Sequence, residues 1–134
     1  MSKKIAVVDG KGGGLGRSVC EVLSKNKAYE IIALGTNALA TSNMLKGGAS
    51  DGATGENAIA IMAEKVDIII GPISIVSANA MMGEVTEKMA LAIGKSSAEK
   101  VLLPLQRCGL TVVGVGEMTI KEMLLKLEEQ IFKL

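Results

Sequence analysis

The chain has 134 residues, the size of one ordinary domain that can bury its own core. Apolar residues make up 49% of it, charged residues 22%, and the net charge is +1, which excludes a disordered chain and any broad attraction to nucleic acid or anionic membrane. Two aromatic residues (Tyr29 and Phe132) and two arginines (Arg17 and Arg107) are too few for a base-stacking surface.

Lys4 to Asp9 gives a short apolar run, Ile-Ala-Val-Val, of the kind covered on both faces in a parallel sheet. A glycine cluster follows, then a helix over 15–25 whose core face is predicted at Leu15, Val19, Val22 and Leu23. Tyr29 to Leu34 reads as a second strand closed by Gly35, and Asn37 to Leu45 as a helix stopped by Gly47 and Gly48. Ala49 to Thr54 reads either as a short strand or as an irregular loop. Glu56 to Glu64 is predicted helical, and Asp67 to Ile70 is a third strand ending in Gly71-Pro72. Helices are expected over 74–82 and again from Thr86, a capping residue, to about Gly94. Lys100 to Leu105 and Thr111 to Val115 have strand character and are joined by too few residues for a crossover helix. They predict an antiparallel hairpin at one sheet edge, with Arg107 and Cys108 marking its turn. Thr119 and Glu122 have capping-box spacing and open a last helix, with a buried stripe at Ile120, Met123 or Leu124, Leu127, Ile131 and Leu134. Strands alternating with helices make this a single α/β domain, residues 1–134, with a doubly wound, mostly parallel sheet.

The chemistry concentrates in Asp9-Gly10-Lys11-Gly12-Gly13-Gly14-Leu15-Gly16-Arg17, where five of the seven residues from Gly10 to Gly16 are glycine. So few Cβ atoms let a ligand approach the backbone, and the loop joins a buried strand to a helix N-terminus, the context in which free N–H groups and the helix dipole favour phosphate. Gly-x-Gly-x-x-Gly fails from Gly10 because its last position falls on Leu15, whereas Gly-x-x-x-Gly-x-Gly is met by Gly10, Gly14 and Gly16. That spacing resembles the loop of the short-chain and extended dehydrogenases, which implies NAD or NADP as cofactor. Their Tyr-x-x-x-Lys pair is missing, since Ala33 stands four residues after Tyr29, and the acidic residue expected after the second strand is replaced by Gly35-Thr36-Asn37. Arg17 either faces a 2′-phosphate or is a solvated first-turn arginine. The stretch Lys11 to Ser18 is also similar to the phosphate loop of partitioning ATPases, with one residue too many and arginine in the place of the lysine. A methyltransferase loop fits less well, because Lys11 stands where its pattern needs glycine. Over nearly the whole length, the stretches Asp9 to Gly16, Ala33 to Asn37, Gly52 to Asn57, Gly71-Pro72 and Met89 to Gly94 resemble a family of small bacterial proteins catalogued as a domain of unknown function. The resemblance implies a Rossmann-like fold and assigns no activity.

In such a fold ligands sit beyond the carboxyl ends of the strands, so the glycine loop, Gly35-Thr36-Asn37 and Gly71-Pro72-Ile73-Ser74 are expected to converge. Thr36, Asn37 and Ser74 serve there either as ligand contacts or as caps of the following helices. Asp51 to Asn57 is a second glycine-rich polar cluster, fit either to close over a ligand or to cap a helix. Asp9, Asp51, Glu56 and Glu84 are the carboxylates nearest the cleft, and none has spacing that demands acid/base work, so each reads as a cap or loop acid. Met81, Met82, Met89 and Met118 are expected in cores or in a subunit interface. The chain has no histidine, and Cys20 and Cys108 lack metal spacing, so a His-based triad or zinc site is excluded and the thiols read as reduced. The start Met-Ser-Lys-Lys lacks a secretory pattern, and the uncharged stretch Ile68 to Gly83 is too short to span a bilayer, so a cytoplasmic location is expected. Positive mean hydropathy in a small chain leaves apolar surface over, which predicts a homo-oligomer. Together these features predict a domain that binds a small phosphate-bearing ligand, a nucleotide or dinucleotide, without membrane or nucleic-acid partners. A non-catalytic sensor or subunit fits the missing catalytic residues; a small NAD(P)-using enzyme is the alternative.

Overall fold

A computed structural model describes residues 3–105 and 109–134. Its five strands are β1 (Lys3–Asp9), β2 (Tyr29–Gly35), β3 (Asp51–Thr54), β4 (Ile68–Pro72) and β5 (Glu99–Leu103). They form one sheet in the order β3-β2-β1-β4-β5, and every pairing is parallel. The helices are α1 (Gly14–Leu23), α2 (Ala38–Lys46), α3 (Glu56–Met62), α4 (Glu87–Lys95) and α5 (Ile120–Phe132). The chain winds outward from β1 through β2 to β3, then crosses to the other side of β1 for β4 and β5, which is the Rossmann-like doubly wound arrangement.

Alternation along β1 divides the core into two layers. Ile5 and Val7 pack with α1, α2 and α5 through Val19, Cys20, Met44, Met123 and Leu127. Ala6 and Val8 face the opposite layer, with Ile59 of α3, Ile75, and Met89 and Ile93 of α4. β1 lies at the centre, as its unbroken apolar run requires. The helix caps also follow the sequence: Asn37 Oδ1 accepts from Ala40 N, Thr86 Oγ1 from Met89 N, and Thr119 with Glu122 forms the reciprocal capping box.

Three expectations are corrected. The antiparallel edge hairpin is not formed: Glu99–Leu103 pairs parallel with β4, while 111–115 carries no strand and Val113 is 96% exposed. A β-branched run makes a strand only where a partner edge and a face to bury are on offer, and this run has neither. Its predicted turn residues Arg107 and Cys108 lie outside the described residues. The helix expected over 74–82 is reduced to a 3-10 helix at Ile73–Val76, followed by turns with positive φ at Asn79 (67°), Met81 (58°), Met82 (56°) and Gly83 (90°). In α5 the buried stripe is Met123, Leu127 and Ile131, whereas Ile120 and Leu134 are exposed. The ambiguous segment near residue 50 resolves as strand β3, paired with β2.

Candidate functional site

The sheet changes winding direction between β1 and β4, and a crevice opens beyond their carboxyl ends. The cleft there has a volume of about 330 Å³ and is lined by Asp9, Gly10, Lys11, Gly12, Gly13, Gly14, Leu15, Pro72, Ser74, Met81 and Leu105. The glycine loop and the β4 segment therefore meet, as the sequence predicts, but Gly35, Thr36, Asn37, Gly71, Gly16 and Arg17 stand outside the lining. Gly35 is buried where a Cβ would strike Thr41, and Gly71 where it would strike the Val8 carbonyl. Arg17 is exposed and lies along Gly47 at the end of α2. The Asp51–Thr54 cluster is spent on strand pairing, with Thr54 Oγ1 2.8 Å from Thr41 Oγ1.

The glycines of the loop divide into two kinds. A Cβ on Gly10 would sit 2.6 Å from both Met81 Sδ and Thr36 Oγ1. One on Gly13, whose φ is +73°, would sit 2.6 Å from the Ala40 backbone, and one on Gly16 would sit 2.6 Å from Met44 Sδ. These three are required by the protein's own packing. Gly12 and Gly14 have nothing within 4 Å of a built Cβ, so the space in front of them is open. Both glycines line the cleft.

Around this opening the backbone is held firmly from below and from α2. Asp9 Oδ1 accepts from Gly10 N at 2.8 Å and Oδ2 from Gly16 N at 2.7 Å, closing the loop on itself. Burial pushes the Asp9 carboxyl above its usual range, and the two N–H bonds oppose that shift. Asn37 Nδ2 donates to the Lys11 carbonyl and Asn43 Nδ2 to the Gly12 carbonyl, so α2 grips both carbonyls. At the start of α1 the N-cap Gly13 has no side-chain acceptor to offer and the first turn carries no acid. The N–H groups of Gly14 and Leu15 thus remain as helix-terminal donors beside the cleft, with the positive end of the helix dipole. Opposite them stands Ser74, only 6% exposed, whose hydroxyl has no hydrogen-bond partner among the described residues. Among the described residues no buried side-chain polar atom is left without a partner, so Ser74 Oγ keeps some exposure, and Ser74 lines the cleft.

Glu84 is the residue whose role the sequence concealed. Its Oε1 accepts from Lys11 N, Thr36 Oγ1 and Asn37 Nδ2, each at 2.8 Å, and so ties the glycine loop to the end of β2. It is carried by the turn segment with three non-glycine positive φ angles, each costing about 1 kcal/mol or more. The Lys11 amide foremost, with the Thr36 and Asn37 donors, holds the Glu84 carboxyl below the usual glutamate range. A depressed pKa means that this tie is fully present above the ordinary glutamate range and is lost as pH falls through the lowered value. In a pH titration followed by NMR, the Lys11 amide is expected to move with a midpoint below that of an exposed glutamate; a midpoint at or above it would show that the carboxylate is not held.

Cys20 is buried, and burial pushes its thiol up to about 12, so it is inert. Among the described residues no group of three potential metal ligands occurs, and no helix is long and apolar enough to cross a membrane.

Residues 4–134 match the family described as a domain of unknown function, DUF3842, and the chain belongs to that family. No curated protein and no solved structure matches the chain.

Proposed function

We propose that this chain binds a phosphate-bearing small molecule, a nucleotide or a dinucleotide of the NAD(P) type, with its phosphate at the start of α1. The observation that carries the reading is the pairing of open glycines, Gly12 and Gly14, with a Ser74 hydroxyl that has no partner among the described residues and lines the same crevice. An anion there meets two backbone N–H groups and the helix dipole on one side, and a hydroxyl donor on the other. Lys11, also on the lining, adds a positive charge at the rim.

A sensor or regulatory subunit fits better than an enzyme. The two carboxylates beside the cleft are already engaged, Asp9 by Gly10 and Gly16 and Glu84 by Lys11, Thr36 and Asn37. Among the described residues no base hydrogen-bonds the Ser74 hydroxyl to make it a nucleophile. The direct test is a thermal-shift panel of nucleotides and phosphate compounds, since a ligand that binds only the folded state raises Tm by mass action.

The second part of the proposal is a homo-oligomer. Val76, Met82 and Leu91 leave apolar surface around α4 and the turn segment before it, with Met82 92% exposed, whereas Met81 and Met89 are buried. Light scattering at micromolar concentration is expected to give at least a dimer, and Met82→Lys to weaken it. A monomer at that concentration removes this part and leaves the ligand site untouched.

A further inference from the structure

Thr36 and Asn37 at the end of β2 occupy the place where a dinucleotide-binding fold holds an adenosine ribose. Here their donors, with the Lys11 amide, converge on a single oxygen of the chain's own Glu84. The Met81 sulfur closes the same corner over Gly10. The cleft consequently opens on the β4 and β5 side, towards Pro72, Ser74 and Leu105, and excludes the β2 end. At about 330 Å³ it is at the small end of the roughly 300–1,000 Å³ span of ligand sites.

We infer that Glu84 is the specificity-determining residue of this cleft: it fills the dinucleotide's ribose position from within, so the ligand is a compact one carrying a single phosphoryl group, such as a mononucleotide. This rests on the reading of the cleft as a phosphate site and narrows it. The phosphate sits at Gly14, Leu15 and Ser74, and the body of the ligand lies against Leu15, Pro72 and Leu105. A dinucleotide needs its second half where Glu84 and Met81 now stand. An acidic residue in this region of an NAD site accepts hydrogen bonds from the ribose. Here the acid comes from the segment after β4 and takes up the Lys11, Thr36 and Asn37 donors that a sugar would otherwise meet.

The experiment compares AMP and NAD, with inorganic phosphate and pyrophosphate as minimal probes, by titration calorimetry on the full chain, on Glu84→Ala and on Glu84→Gln. The wild-type chain is expected to bind AMP at least tenfold more tightly than NAD, and Glu84→Ala to narrow that ratio to about threefold or less by gaining NAD. Glu84→Gln keeps the side chain's size and an acceptor but loses the charge, so it is expected to fall between the two. It decides the matter if Glu84→Ala fails to fold. Equal binding of AMP and NAD by the wild-type chain overturns the inference. So does a preference for AMP that persists unchanged in whichever variants fold. Binding of none of the four probes to any of the three proteins overturns instead the phosphate reading on which it rests.

Discussion

Gly13→Ala is expected to cost the fold about 2–5 kcal/mol, while Gly14→Ala, one residue along, leaves stability unchanged or raises it. The two glycines look alike in the sequence and differ in what surrounds them. Gly13 is in the left-handed region, with φ +73° and ψ 15°, where a Cβ costs about 1–2 kcal/mol. That Cβ would also stand 2.6 Å from Ala40 Cα and 2.8 Å from the Ala40 carbonyl oxygen, and α2 cannot retreat without loosening Met44, which is fully buried beneath it. Forcing such an overlap adds about 1–3 kcal/mol. Gly14 is already the first residue of α1 and has open space before it, so alanine there restricts the unfolded chain at no steric cost, a gain of up to about 1 kcal/mol. At roughly 4 °C of Tm per kcal/mol, thermal unfolding separates the two variants by about 8 °C or more. Equal effects at both positions would show that the loop is not packed on α2 as described.

This contrast marks what the sequence reveals of the site and what it hides. The glycine loop, its place between a buried strand and a helix, and the central position of β1 are legible, because they follow from local composition and from the alternation of strands and helices. Which glycines serve the protein and which leave room for a ligand is not, because that depends on Ala40 and Met44 arriving from α2. Glu84 is hidden for the same reason. It lies 73 positions from Lys11 and reads as an ordinary loop acid until folding brings the two together. The alanine- and methionine-rich stretch after Ile73 has the composition of a helix, yet local turn bonds hold it otherwise, with Gly83 N donating to the Asn79 carbonyl and Val85 N to that of Ala80. The valine-rich run after residue 110 errs the opposite way, having strand propensity with no edge to join. Arg17, placed by sequence next to the loop, is turned by α1 towards Gly47 and away from the cleft lining.

Gly14→Val is expected to abolish nucleotide binding while the domain stays folded. A Cβ at the first position of α1 has no atom from another part of the fold within 4 Å, so a branched side chain is expected to be accommodated there. Gly14 lines the cleft, so the side chain is expected to occupy the opening where the phosphate is proposed to sit. A ligand at a hundred times its Kd stabilises the fold by about 2.7 kcal/mol, which is a rise of roughly 10 °C in Tm for a domain of this size. The valine variant should lose that rise entirely and keep the wild-type Tm in buffer to within a few degrees. Ser74→Ala, which removes one donor and leaves the backbone amides, is the milder counterpart and should reduce the rise without eliminating it.

The measurement that bears most directly on the proposed site is therefore the thermal unfolding of the wild-type chain and of Gly14→Val, side by side, across mononucleotides, NAD, NADP, coenzyme A and S-adenosylmethionine. A rise of several degrees with at least one phosphate compound, present in the wild-type chain and absent from a folded Gly14→Val, is the predicted result. A panel that moves neither protein, or one that moves both alike, would mean that the open glycines of this loop do not hold a phosphate.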